Sequence, residues 1–201
     1  MPGLQVHTGR TAVYNVDNVD TDRIIPARFL TRVERQGYGE LLFIDARKND
    51  PAFPLDQPEA QGATVLIGGT NFGCGSSREH AVWAIQQAGF KVVVARKEED
   101  SPGYSDIFRQ NSANCGLLLV ELGNGAHANL ASKGSGAEVT VDLKNQKLSW
   151  DGGESLFVID HVTKDQILRG LDLIGSTLDD AEAIDSFEKK WDSFAPPMAI
   201  L

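Results

Sequence analysis

The sequence predicts an α/β fold with a mostly parallel sheet as its core, helices on the sheet faces and an added antiparallel hairpin. Two short apolar runs, residues 63–69 and 90–96, have the composition of buried strands, and a segment of helical periodicity separates them. A third apolar run, 116–122, follows a second helical segment. Such alternation of strands and helices is typical of a parallel sheet.

The first unit reads as a strand, a glycine-rich turn, a helix and a strand. Small and apolar residues recur at helical spacing from 77 to 88. Gly89 stands where a helix C-terminus favours a left-handed residue. A second helix is predicted over 104–115, directly before the strand at 116–122. The two helices should pack on the faces of the sheet.

The C-terminal third changes to an antiparallel pattern. Residues 138–150 alternate apolar and polar side chains around a Lys-Asn-Gln turn, which predicts a hairpin, and 155–160 predict one more strand. A surface helix is predicted over 176–191, and the segment 195–201 is expected to be irregular because it contains two prolines. We expect that helix to dock through an apolar stripe formed by Ile184, Phe187 and Trp191.

Composition excludes several classes of partner. The 201 residues include 28 acidic and 19 basic side chains, and the formal net charge of −9 opposes nucleic acid and anionic membrane surfaces. No stretch approaches the roughly 20 apolar residues that cross a bilayer, and the start of the chain lacks a signal-peptide core. We expect a single domain over residues 1–201, located in the cytoplasm.

The chain is poor in metal ligands. Cys74 and Cys115 are expected to be free thiols, and the four histidines lie far apart without zinc-ligand spacing. A cubic iron–sulfur cluster needs more cysteine thiolates than this chain has. We therefore expect no metal site and no cofactor in this chain by itself.

The motif GCGSSREHA occupies residues 73–81, between the first predicted strand and its helix. It is not a hydrolase nucleophile elbow, because Glu79 stands where the last glycine should be. It is not a phosphate-binding loop, because no lysine follows its glycines. Ser76 and Glu79 match the Ser-x-x-Glu capping box of a helix start, and Gly73 and Gly75 permit tight turns.

Two interpretations of this motif stay open on the residues alone. Helix-start amides, two hydroxyls and the guanidinium of Arg78 would converge and hold a carboxylate or phosphate. Alternatively, the same residues only cap a helix and end a strand.

A second group of polar residues lies at 18–35. Asp20 and Asp22 flank Thr21, a triplet suited to a turn and to orienting neighbouring donors. Local positive charge in an acidic chain suggests an anionic ligand or an acidic partner. The alternative is a solvated loop with ordinary ion pairs. The basic residues concerned are Arg23, Arg28, Arg32 and Arg35.

Two stretches, NVDTDRIIPARFL at 18–30 and NFGCGSSREHAVWAI at 71–85, together resemble the small subunit of 3-isopropylmalate dehydratase. The resemblance covers nearly the whole chain and includes GYGELLF at 37–43, DIFRQNSANCGLLLV at 106–120 and GLDLIGSTL at 170–178. That family is the detached mobile domain of the aconitase superfamily. The implied fold is the swivelling β/β/α domain, in agreement with the elements predicted above.

The resemblance also implies a reaction. It is the isomerisation of 2-isopropylmalate and 3-isopropylmalate in leucine biosynthesis, by dehydration to 2-isopropylmaleate and rehydration. In this family a separate large subunit carries a [4Fe-4S] cluster. The chain would therefore be a hydro-lyase subunit that acts on a small diacid, in a heterodimer or a dimer of heterodimers.

Matching the motif residue by residue implies roles for five side chains. Ser76 corresponds to the catalytic base, Ser77 to a hydroxyl that contacts the substrate, and Arg78 to a ligand of a substrate carboxylate. Asp22 matches an aspartate at the edge of the active site, and Arg32 falls near an arginine loop that binds substrate. An ordinary serine is a poor base, so Ser76 would act as an alkoxide stabilised by amide donors and positive charge.

Several points stay open at this stage. Arg28, Thr31 or Arg32 would face the variable group of the substrate. A related hydro-lyase for homoaconitate, citraconate or dimethylmaleate would share Ser76 and Arg78, and a non-catalytic anion-binding module is a further alternative. The loop at 95–108 is longer than the usual connection in the family, and we expect only a surface feature there.

Overall fold

A computed structural model describes residues 3–32 and 34–191 of the chain. The described strands are β1 (Val6–Tyr14), β2 (Val65–Gly68), β3 (Val92–Lys97), β4 (Leu118–Gly123), β5 (Glu138–Asp142), β6 (Lys147–Trp150) and β7 (Gly153–Leu156). The described α-helices are α1 (Thr21–Ile24), α2 (Ile44–Asn49), α3 (Glu79–Gln87), α4 (Asp106–Cys115), α5 (Asn124–Ser132), α6 (His161–Arg169), α7 (Leu173–Leu178) and α8 (Ala181–Trp191).

The strands form one sheet in the order β4-β3-β2-β1-β5-β6-β7. β1 to β4 are parallel, and their register places Thr11 beside Val65, Val65 beside Val92, and Val92 beside Leu118. β5 pairs antiparallel with the other edge of β1 and continues into the β5–β6 hairpin and β7. The predicted α/β fold with a parallel core and an added antiparallel hairpin is confirmed.

Each face of the sheet packs against its own set of helices. Because side chains alternate along a strand, Leu66 of β2 joins the cluster formed with α1, α3 and α4. Its neighbours Val65 and Ile67 join the opposite cluster, which includes Leu130 of α5 and Ile167 of α6. The core strands are thus buried on both faces, as their continuous apolar runs indicate.

The two helices predicted around the glycine-rich motif are present. α4 begins after Ser105, whose Oγ accepts a hydrogen bond from Phe108 N at 3.3 Å, and ends at Gly116 with φ of 75°. α3 covers Glu79–Gln87 and is thus shorter at its start than the predicted 77–88. Gly89 has φ of 103°, as predicted for the residue after the helix.

The prediction that the C-terminal helix docks through its apolar stripe is wrong for the residues described. α8 keeps Phe187 and Trp191 largely exposed and Ile184 partly so. The segment 195–201 lies outside the described residues. Within residues 3–32 and 34–191, no helix has both the length and the apolar character that crossing a membrane requires.

Candidate active site

The candidate site lies where β1 and β2 end, at the carboxyl edge of the parallel strands. This edge is where ligands bind in open α/β sheets. The loop after β1 and the loop after β2 run side by side and share backbone hydrogen bonds. Gly73 N donates to Val19 O at 2.7 Å, and Thr21 N donates to Cys74 O at 2.9 Å. The two stretches that carry the resemblance are therefore one structural unit.

An ion pair between Asp17, which is partly exposed, and Arg96, which is largely buried, supports the base of this unit. Asp17 accepts the Thr70 amide at 2.9 Å and the Arg96 guanidinium at 2.7 and 2.8 Å. Only 17% of the Arg96 side chain is exposed. Sequence reasoning missed this contact, because Asp17 and Arg96 are far apart in the chain and no local pattern joins them.

The glycines of the motif have the predicted backbone conformations. Gly73 has φ of 74° and Gly75 has φ of 92°, both in the left-handed region that favours glycine. A Cβ on Gly73 would collide with the ring of Phe108. The chain therefore turns sharply out of β2 and brings residues 75–77 to the surface.

Ser76 and Ser77 form the exposed tip of the turn. Their hydroxyls and their backbone amides make no hydrogen bond to any other described residue. The carbonyl oxygen of Ser76, in contrast, accepts a hydrogen bond from Thr21 Oγ1 at 3.0 Å. The tip thus presents two hydroxyls and two amide donors while its carbonyl is held from inside.

Asp22 pairs with Arg78 directly beside this tip. The Arg78 side chain is only 11% exposed, and its Nη1 also lies 3.5 Å from Ile25 O. The guanidinium holds the pKa of the Asp22 carboxyl below its usual value, and the Ala27 amide adds to this effect at 3.3 Å. The structure therefore brings four of the predicted site residues together.

The predicted capping box is wrong. α3 begins at Glu79 after Arg78, and no side chain caps its first amides. Instead, the Glu79 carboxylate accepts a hydrogen bond from Cys115 Sγ at 3.2 Å. Burial, together with this carboxylate, raises the pKa of Cys115 to about 12. A tertiary partner on α4 has replaced the local one, and Ser76 is left free of a capping role.

Arg32 lies at the side of the unit and not at its tip. Its guanidinium carbon is 5.8 Å from the ring centre of Tyr38, and it donates to Gly37 O at 3.2 Å. Tyr38 in turn contacts His80 of α3, with ring centres 5.5 Å apart. No hydrogen bond or ion pair among the described residues joins the Arg32 guanidinium to Asp22 or to Ser76 and Ser77.

The other arginines of this region are engaged separately. Arg28 forms an ion pair with Asp45, as the solvated-loop interpretation expects. Arg23 lies over the ring of Tyr14 at 5.5 Å, and Arg35 lies over Trp83 at 5.1 Å. In the described chain these guanidiniums do not converge on one point, so Arg78 is the basic residue at the tip.

His80 packs between aromatic rings next to the site. Its ring centre lies 4.6 Å from that of Trp83, and burial lowers its pKa. Cys74 is a free thiol whose pKa is raised by burial and by nearby Asp20, so it is not a thiolate nucleophile. Among residues 3–32 and 34–191, no three His, Cys, Asp or Glu side chains are grouped to hold a metal ion.

Comparison with known proteins shows the family of this chain. Residues 1–125 match the aconitase C-terminal domain family. The 3-isopropylmalate dehydratase small subunit of Listeria monocytogenes serotype 4a is 43% identical over 198 residues, which cover 96% of this chain and 100% of that relative. This chain belongs to that small-subunit family. The Halalkalibacterium halodurans member is 45% identical over 196 residues, covering 94% of this chain and 98% of its own.

A solved structure of the same family has the same fold. The crystal structure of 3-isopropylmalate dehydratase from Methanocaldococcus jannaschii aligns with a TM-score of 0.66 at 27% identity. The alignment covers 92% of this chain and 99% of that one. The family's fold therefore holds over nearly the whole chain.

Proposed function

We propose that this chain is the small subunit of a 3-isopropylmalate dehydratase and supplies half of its active site. The observation that carries the proposal is the exposed Ser76–Ser77 tip beside Arg78, in a chain of this family. The reaction is the isomerisation of 2-isopropylmalate and 3-isopropylmalate through 2-isopropylmaleate, in leucine biosynthesis.

Arg78 is suited to binding a carboxylate of the diacid substrate. Asp22 and Ile25 O both contact Nη1, and neither Nε nor Nη2 donates a hydrogen bond to a described residue. Those two N–H groups form the fork that binds a carboxylate through two parallel hydrogen bonds. Asp22 keeps the guanidinium in place, because its own carboxylate stays ionised beside it.

Ser76 is suited to moving the proton on the substrate carbon next to the departing hydroxyl. As an alkoxide it would accept that proton in dehydration, and as a hydroxyl it would return it in hydration. The charge of Arg78, the N-terminus of α3 and the unpaired amides at the tip all stabilise an oxyanion there. The Ser77 hydroxyl contacts the bound substrate from the same tip.

The proposed partner is a large subunit that carries the [4Fe-4S] cluster. The two cysteines of this chain are fewer than the thiolates such a cluster needs. When bound in the large subunit, the cluster supplies a Lewis acid for the departing hydroxyl. Both cysteines are free thiols, as expected in the reducing cytoplasm, where we place the complex.

Arg32 is the proposed contact of the substrate's variable group. It is exposed and is held only through Tyr38 and Gly37 among the described residues, so its guanidinium can move toward a diacid. When the substrate's isopropyl group is exchanged for a carboxylate-bearing or methyl group, the rate should depend more on Arg32 than on the other site residues. Turnover measured with isopropylmalate, homoaconitate, citraconate and dimethylmaleate distinguishes the isopropylmalate enzyme from its hydro-lyase relatives.

The test is anaerobic hydration of 2-isopropylmaleate by this chain mixed with a cluster-loaded large subunit from the same genome. Ser76→Ala should lower kcat by about 10²–10⁴-fold, the usual contribution of a positioned base. Ser132→Ala is the matched control, because Ser132 is an exposed serine on α5 whose hydroxyl bonds only its own helix. Full activity of Ser76→Ala, or activity without this chain, would contradict the proposal.

A further inference from the structure

We propose that Thr21 is a positioning residue that fixes the orientation of the Ser76 turn through the Ser76 carbonyl group. The inference rests on the proposed function of Ser76 as the base. Thr21 does not reach the exposed side of the tip, since its side chain is buried and only 1% of the residue is exposed. It therefore acts through Ser76 and not on the substrate.

Thr21 hydrogen-bonds to the turn on both sides of Gly75. Its amide donates to Cys74 O at 2.9 Å, and its Oγ1 donates to Ser76 O at 3.0 Å. Gly75 itself has φ of 92°, and a Cβ there would lie 3.5 Å from Thr21 Oγ1. A glycine in this region has many accessible conformations, so a turn built on it needs outside contacts to hold one of them.

The Ser76 carbonyl bond also orients the following amide. A peptide unit is planar and trans, so its carbonyl and its N–H point in opposite directions. With the Ser76 oxygen directed to buried Thr21, the Ser77 N–H is directed away from it, toward the exposed side. That amide has no hydrogen bond to another described residue. Thr21 thus sets the direction of a donor at the tip.

The residues next to Thr21 act on adjacent parts of the site. Asp20 accepts the Arg23 amide at 2.6 Å and so caps α1, which begins at Thr21. Asp22 holds Arg78. The first turn of α1 therefore fixes the base through Thr21 and the carboxylate ligand through Asp22. A shift of α1 would move both groups together, which keeps their separation constant.

Thr21→Val is the decisive substitution, because valine has nearly the same shape and no hydroxyl. It leaves the Ser76 carbonyl without its partner and frees the turn to reorient. In the complex with the large subunit, kcat for 2-isopropylmaleate hydration should fall about 100-fold, the size expected for a misplaced catalytic group. KM should change less than about threefold, since Arg78 keeps its partner Asp22. Thr21→Ser retains the hydroxyl and should recover most of the loss.

Thr11→Val is the matched control for the loss of a buried threonine hydroxyl. Thr11 is fully buried on β1, and its Oγ1 donates to Gly134 O at 2.9 Å and Ala137 O at 3.2 Å, away from the tip. Thr11→Val should lower thermal stability as Thr21→Val does and keep the wild-type kcat. Equal kcat losses in both variants, or a Thr21→Val enzyme with wild-type kcat, would overturn the proposal.

A second measurement separates this inference from the proposed function. In the ¹⁵N spectrum of the isolated chain, the amides of Gly75, Ser76 and Ser77 should shift and gain fast motion in Thr21→Val and not in Thr11→Val. Unchanged tip amides in a folded Thr21→Val chain would disprove the positioning role, whatever substrate the complex uses. If the wild-type complex turns over none of the diacids, and the tip amides still shift in Thr21→Val, the proposed function is rejected and the positioning role of Thr21 is kept.

Discussion

Gly73 and Gly75 have similar backbone conformations but different surroundings. Gly73 faces the ring of Phe108, and a Cβ there would collide with it. A Cβ on Gly75 would have its nearest neighbours at 3.5 Å, in ordinary contact. At both positions any other L-residue would be destabilised by the positive φ. The two glycines therefore allow the backbone cost and the packing cost to be measured separately.

Gly73→Ala should destabilise the chain more than Gly75→Ala. For Gly75→Ala we expect only the left-handed penalty, about 1–2 kcal/mol. For Gly73→Ala an overpacking cost of about 1–3 kcal/mol adds to it, because Phe108 has to move within a filled core. Urea unfolding of the isolated variants measures both values. Equal destabilisation of the two variants would show that the Phe108 contact costs nothing.

At the residue scale, four of the five side chains named from the sequence lie together, but the sequence did not predict how they pair. Ser76 and Glu79 fit a capping box, yet Glu79 bonds Cys115 of α4 and Ser76 bonds Thr21 through its carbonyl. A local pattern can be recognised from spacing alone, whereas a partner 36 or 55 residues away cannot. The pairing of Asp22 with Arg78 could not be predicted for the same reason.

At the scale of elements, helices α4 and α8 show opposite relations between sequence pattern and packing. Both carry apolar side chains at helical spacing. α4 buries Phe108 to 1% exposure between the sheet and the glycine turn, whereas α8 leaves Phe187 61% exposed. The periodicity of α8 predicts an amphipathic helix correctly. It carries no information on whether a surface of this chain covers the apolar face.

Replacing the two phenylalanines by alanine should measure this difference. Phe187→Ala should change the unfolding free energy of the isolated chain by less than about 0.5 kcal/mol, as for other exposed positions. Phe108→Ala should cost about 3–5 kcal/mol, because it leaves a cavity in a packed core. Chemical denaturation of both variants decides the point. A large loss in Phe187→Ala would mean that α8 packs against the folded chain in solution.

β1 and α5 were not predicted, and both have weak local signals. β1 reads as VHTGRTAVY, and only its second half is buried, so neither alternation nor a continuous apolar run marks it. α5 has the sequence NGAHANLAS, which lacks a strong apolar stripe. Both are fixed by the strands beside them, β1 by pairing with β2 and β5 and α5 by packing on β3 and β4. Their existence depends on tertiary contacts that a local pattern does not contain.

At the scale of the whole molecule, buried His127 makes the stability of the fold depend on pH. It lies on α5, and its Nε2 bonds Gly68 O at 2.6 Å at the end of β2, just before the site loop. A carbonyl oxygen only accepts, so Nε2 carries the proton. Nδ1 is buried without a partner among the described residues. Burial lowers the pKa of His127, with Arg96 lowering it further and the Gly68 bond and Asp17 opposing the shift.

The sign of the resulting pH effect follows from this depressed pKa. In the unfolded chain a histidine titrates with a pKa near its ordinary value of about 6.5. Below that pH the unfolded state binds a proton at this residue more readily than the folded state does, which lowers the free energy of unfolding. The stabilisation is complete above pH 6.5 and is lost as the pH falls through the lower folded pKa. Carboxylates such as Asp22 lose their contribution only at more acidic pH.

His127→Gln should therefore flatten the pH dependence of stability. Glutamine can still donate to Gly68 O and takes no proton, so unfolding free energy should fall less steeply between pH 6.5 and 5.5, by up to about 1.4 kcal/mol per pH unit. His161→Gln is the control, since it removes a histidine that is exposed on α6. Some slope should remain in His127→Gln, because burial also lowers the pKa of His7 and His80. A wild-type slope in His127→Gln would mean that the buried ring accepts a proton in the folded chain, and that α5 opens to water at acid pH.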